Sequence, residues 1–170
     1  MTRDAFLLKW FWYAMAVLPF WLLEDLVFSR FSVLGVAPVL LPLTVVAVAI
    51  LEGSAAGAGF GLAVGLWWAG ALPGSQSGMI FLASLMGMIS GLISQYRLKQ
   101  SYVGCLFCSA LSLGLLEVLH ILPRLSGHHA SLATLLSIAL PELVVSLLFV
   151  APVYLLFRLV YDRVGGTKLM

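Results

Sequence analysis

Charge is scarce in this sequence. Only 9% of its 170 residues are Asp, Glu, Lys or Arg, against 62% that are hydrophobic, and the mean hydropathy is +1.11. Soluble domains carry about a quarter charged residues, so an ordinary cytosolic globule is excluded for want of polar surface. Disorder is excluded by the same shortage. The net charge is +2 and basic residues never cluster beyond two in three positions, which argues against nucleic acid as a partner. Cysteine is scarce as well: Cys105 and Cys108 are too few for the disulfide framework of a small secreted protein. Long soluble loops are missing, and so are Gly-x-Ser-x-Gly, His-Glu-x-x-His, an Asp-rich phosphotransferase motif and a phosphate-binding Gly-x-x-x-x-Gly-Lys-Ser/Thr loop. No nucleophile–base pair can be assigned in their place, and no cofactor or metal is expected.

What is present is apolar sequence in span-sized pieces. At about 20 residues per span, the chain accommodates six helices in one transmembrane domain, residues 1–170. The charges mark their ends. Trp10 to Leu23 is uncharged and predicts a first helix over 6–26. Arg3, Lys9 and Ala14-Met15-Ala16 imitate a signal peptide, but the apolar run continues through Leu23, so the segment reads as a retained span. Glu24, Asp25 and Arg30 form a polar loop. Phe31 to Leu51 is a second helix, kinked by Pro38 and Pro42, and Glu52-Gly53-Ser54 is a tight turn. No charge occurs from Gly53 to Tyr96. That stretch breaks at Pro73-Gly74-Ser75-Gln76-Ser77-Gly78, giving helices at 55–72 and 79–95. Gln95 to Gln100 is a loop, 101–122 the fifth helix and Pro123 to His129 a loop. The sixth helix covers 132–157, interrupted by Pro141 and Pro152, and a polar tail follows from Tyr161.

The distribution of positive charge orients this layout. With the N-terminus inside, Arg3, Lys9, Arg97, Lys99, Arg158, Arg163 and Lys168 are internal, and Arg30 and Arg124 are external. A five-span layout would move one terminal group outside. The expectation is an all-α polytopic membrane protein with six transmembrane helices and both termini cytoplasmic.

Glycines give the clearest local pattern. Gly53, Gly57, Gly61 and Gly65 recur every four residues, with Gly59 alongside. A shorter series follows at Ala83, Gly87 and Gly91, with Ser84, Ser90 and Ser94 nearby. Such stripes let another backbone approach closely. They serve either the packing of the third helix on the fourth or the docking of a partner's helix.

Three ionisable groups fall inside predicted spans: Glu117, His120 and Glu142. Inserting such a group costs about 2.5–3.5 kcal/mol on translocon scales, which makes each a functional candidate. Glu117 and His120 share a helix face. Glu142 follows Pro141, whose missing N–H frees a carbonyl that a protonated Glu142 would satisfy. The trio reads first as a polar brace, then as a partner contact, and least as a transport or catalytic site. Cys105-Leu106-Phe107-Cys108 has redox-pair spacing, but its apolar setting makes it two buried small residues. His128-His129 has no carboxylate near in sequence to complete a metal site. Trp10, Trp12, Trp21, Trp67 and Trp68 read as interface belts and packing.

Over residues 33–163 the chain resembles the rod shape-determining protein MreD family of bacteria. The likeness rests on VAPVLLPLTVVAVAILEG, on the glycine-rich GAGFGLAVGLWWAG with Gly57, Gly59, Phe60, Gly61, Gly65 and Leu66, and on GLISQYRLK. It rests also on LPELVVSLLFVAPVYLLFRLVYDRV, with Pro141, Pro152 and Arg158. The family often has an acidic residue about four positions after the glycine matching Gly65, where this chain has Ala69. The resemblance implies a non-enzymatic, multi-pass protein of the bacterial cytoplasmic membrane that regulates cell shape and peptidoglycan synthesis. It implies assembly with an MreC-like single-span protein and the elongation synthase complex. It also implies a fold similar to the substrate-binding S components of energy-coupling factor transporters. The alternative reading is therefore a vitamin-binding S component, although Trp10-Phe11-Trp12-Tyr13-Ala14-Met15-Ala16 is too bulky for the small-residue docking seam of such subunits.

Overall fold

The computed structural model describes residues 3–28, 38–71, 78–98, 101–126 and 132–164, with side chains at 6–27, 38–70, 78–96, 101–119 and 139–164. Among these the chain is almost entirely helical and has no strand. The helices are α1 (Arg3–Leu22), α2 (Leu41–Glu52), α3 (Ser54–Ala71), α4 (Gly78–Ile93), α5 (Tyr102–Ser126), α6 (Leu132–Leu148) and α7 (Val150–Val164). Among the described residues, four segments are long and apolar enough to cross a bilayer: Phe6–Val27, Gly78–Tyr96, Tyr102–Leu119 and Ala139–Val164.

The second apolar run differs from its expectation. Residues 38–40 are not helical, and α2 is only the 12 residues from Leu41 to Glu52. Pro42 lies in its first turn, where a missing N–H costs nothing, so it starts the helix instead of kinking it. At 1.5 Å per residue α2 is about 18 Å long, short of the roughly 30 Å hydrocarbon core. All its residues are buried. It stands as a post with α1, α3, α4, α5 and α7 packed around it, which is why it is apolar on every side.

Other boundaries shift for local reasons. The polar stretch read as a loop after the fourth helix continues helically, as wider π-type turns from Ser94 to Leu98. Similar turns carry α1 on through Leu23–Phe28. α5 runs through Pro123 to Ser126, and α7 takes in the start of the expected polar tail, where Tyr161 packs against the core. Of the two late prolines, Pro141 sits inside an unbroken α6, whereas the chain breaks at Phe149, just ahead of Pro152. Pro152 offers no N–H to the Leu148 carbonyl. The turn closes through Phe149 N–H on Ser146 O at 3.0 Å, and the helix resumes with Val153 N–H on Phe149 O at 3.1 Å.

The tight turn at Glu52-Gly53-Ser54 is present, with Gly53 at φ 96°, a conformation that favours glycine. α3 and α4 form the most closely packed pair of helices. Arg30, Pro73 to Ser77, Lys99, Gly127, His128, His129 and Lys168 lie outside the described residues, as do the side chains of Arg97, His120 and Arg124.

Candidate functional site

Among the described residues, the most deeply buried charges are Lys9 and Glu52, which the sequence places at the ends of apolar runs. Lys9 and Tyr13 are one turn apart on α1. Both reach Glu52, the last residue of α2. The Lys9 ammonium donates to Glu52 Oε2 at 2.5 Å, and the Tyr13 hydroxyl donates to Glu52 Oε1 at 2.8 Å. Tyr13 is fully buried, and the ring of Phe157 from α7 stacks on it at 6.1 Å. A carboxylate removed from water needs its oxygens occupied, and here each oxygen has its own donor.

At the opposite end of α2 the electrostatics reverse. The first N–H groups of a helix lack internal acceptors and carry partial positive charge. Glu24, beyond the last turn of α1, places Oε2 at 3.0 Å from the backbone nitrogens of both Leu40 and Leu41. Ser146 of α6 accepts the Val39 N–H at 3.1 Å, and Thr44 donates to Leu41 O at 2.6 Å. On the far side Ser94 donates to Ile50 O at 3.2 Å. Side chains from α1, α6 and the turns after α4 therefore hold both ends of a helix too short to reach the membrane surfaces on its own.

Lys9, Tyr13, Ala16 and Phe20 form one buried stripe on α1. Continued by a turn, it reaches Glu24. Sequence reasoning missed this set because it treated Lys9, Glu24 and Glu52 as flanking charges. The available signal was the spacing: Lys9, Tyr13, Ala16 and Phe20 follow the 4-3-4 rhythm of one helix face.

Gly57, Gly61, Gly65, Gly87 and Gly91 face inward. A methyl group at Gly57 would meet Ala49 and the Gly87 carbonyl, one at Gly61 the Ala83 carbonyl, and one at Gly65 the Ile80 backbone. From the other side Gly87 meets the Gly57 carbonyl and Gly91 meets Ser54. The groove of α3 is filled by α4, with Ser84 donating to Ala58 O at 3.1 Å across the seam. Gly59 points into open space.

Of the intramembrane trio, Glu117 and Glu142 line one small cavity of about 10 Å³ with Ser146 and Val39. This is room for about one water. Pro141 is adjacent and half-buried, and the His120 side chain lies outside the described set. Cys105 and Cys108 are buried, unpaired thiols in the core. Trp12 and Trp67 are about half exposed, and Trp10, Trp21 and Trp68 pack against the core. Comparison with protein-family models, curated proteins and solved structures finds no match.

Proposed function

We propose that this protein is a non-enzymatic scaffold of the bacterial cell-elongation machinery. It sits in the cytoplasmic membrane with six passes and both termini inside, binds an MreC-like single-span partner and the elongation synthase complex, and so regulates cell shape and peptidoglycan synthesis. In this reading α2, with the residues before it, makes one pass, and α6 with α7 makes another. The observation that carries the proposal is the use of the charged groups that pack against α2 among the described residues. Lys9, Tyr13 and Glu52 close on one another, and Glu24 closes on the α2 backbone. Groups committed in this way brace a structure; they do not converge on a reacting or transported molecule. The resemblance in residues 33–163 supplies the biological setting.

The transporter-subunit alternative needs a vitamin-sized polar pocket. The cavity at Glu117 and Glu142 is smaller by more than an order of magnitude than the ligand pockets of about 300–1,000 Å³ typical of small-molecule sites.

Depletion in a rod-shaped bacterium that encodes this chain tests the proposal. Round or swollen cells are the expected result, and Glu142→Gln, which keeps hydrogen-bonding capacity, should restore the rods. Normal rods after complete depletion, with no second copy in the genome, overturn it. A vitamin requirement with shape intact points to the transporter subunit. Loss of function in well-expressed Glu142→Gln and Glu117→Gln points to an enzyme.

A further inference from the structure

The flank of the bundle between α1 and α3 is held open. α1 is fixed at one end by Lys9 and Tyr13 on Glu52, and at the other by Glu24 on the start of α2. Between these anchors two ring pairs act as spacers. Trp10 stacks on Phe60 at 6.1 Å, and Trp21 meets Trp67 edge-on at 5.6 Å. Midway, the facing residues are Ala14 on α1 and Ala63 on α3, too small to close the gap that the rings maintain. The result is an apolar cleft of about 100 Å³, with Leu18 along its wall.

We propose that this cleft is a slot for the hydrocarbon chain of a membrane lipid. Its lining is almost wholly apolar and falls short of the two to four polar partners that a held water needs, and apolar cavities of this order stay dry and take apolar guests. Ala14 and Ala63 are exposed at its mouth, which is continuous with the outward apolar face formed by Met15, Leu62 and Leu66. The slot therefore opens where hydrocarbon lies against the bundle. A partner helix, about 10–12 Å across with its side chains, could insert at most one side chain and is too wide to enter a cleft of this volume as a body. A flexible chain end is not. The polar anchors place the slot between the two ends of the bundle, at the depth of acyl chains and away from headgroups. The inference requires only that the chain is embedded in a membrane, and it stands or falls apart from the cell-elongation reading.

The test uses the full-length wild-type chain in vesicles of phosphatidylcholine carrying a diazirine at the end of one acyl chain. After irradiation, peptide mapping should find adducts concentrated at Ala14, Leu18 and Ala63, well above those at Leu155 and Leu159 on the exposed face of α7. Ala63→Phe, which fills the slot, should remove that excess and leave Leu155 and Leu159 labelled as before. Uniform labelling of the wild-type chain overturns the proposal. So does a second copy or another protein bound at Ala14 and Ala63 that excludes the lipid probe.

Discussion

Lys9 and Glu52, 43 positions apart in the chain, meet inside the bundle with only 6% and 2% of their side chains exposed. The pair fixes the register of α1 against α2. Glu24 makes the second fastening. Lys9 and Glu24 are separated by about 22 Å of helix, and the two ends of α2 by about 18 Å, so one helix spans the other and grips both its ends. The signs match the helix: a carboxylate lies at the N-terminus of α2, and an ammonium lies at its C-terminus beside the Glu52 carboxylate.

The first prediction concerns this pair. Removing one partner strands a buried charge, at a cost of about 3–5 kcal/mol. Lys9→Met and Glu52→Leu should each lower the melting temperature in detergent sharply. Combining them with Tyr13→Phe, which removes the orphaned hydroxyl, should recover most of the loss, since a buried ion pair replaced by apolar groups is often neutral. If the triple variant is less stable than either single one, the charges have a role beyond holding α1.

Glu24 gives a graded test. Glu24→Ala leaves the N–H groups of Leu40 and Leu41 without their acceptor, and each buried orphan costs about 1–3 kcal/mol. Glu24→Gln keeps a carbonyl oxygen and should lose less. Hydrogen exchange at the first turn of α2 reads the difference directly. Equal protection in the Glu24→Ala variant and the wild-type chain would show that the carboxylate does not cap this helix.

The α3–α4 seam predicts a contrast between neighbouring glycines. Gly61→Ala drives a methyl group into the Ala83 carbonyl, whereas Gly59→Ala meets nothing. Overpacking costs about 1–3 kcal/mol for a small insertion, so Gly61→Ala should broaden the gel-filtration peak and lower the melting temperature. Gly59→Ala should match the wild type. Gly61→Leu should leave no folded protein. A stable, monodisperse Gly61→Leu chain would mean that the two helices separate easily.

Topology is tested by labelling. With Cys105→Ala and Cys108→Ala removing both native thiols, single cysteines at Lys168 and Gly127 should react from opposite sides of the membrane, Lys168 from the cytoplasm. Labelling of both from one side rules out six passes.

Much of the architecture is legible without coordinates. The scarcity of charge points to a membrane protein, and continuous apolar runs of span length, in place of the alternation of a closed barrel, select the helix as the way its backbone groups are satisfied. The glycine spacing marks a close-approach seam, since only residues without side chains let two backbones meet. Sequence leaves open which helix fills that seam, because four-residue spacing is the same for an internal neighbour and a partner. The tertiary structure assigned it to α4.

The role of the charges is what only the tertiary structure decided. Lys9, Glu24 and Glu52 sit at the edges of apolar runs, where flanking residues ordinarily meet water, and nothing local distinguishes them from such residues. α1 shows no polar face to indicate its buried side, because its opposite side faces hydrocarbon and is equally apolar. The stripe of Lys9, Tyr13, Ala16 and Phe20 acquires meaning once α2 is placed beside it. From composition alone, α2 and the residues before it read as a span that could face lipid. A buried core helix and a lipid-facing helix have the same composition, and the choice falls to the neighbours that cover all of α2.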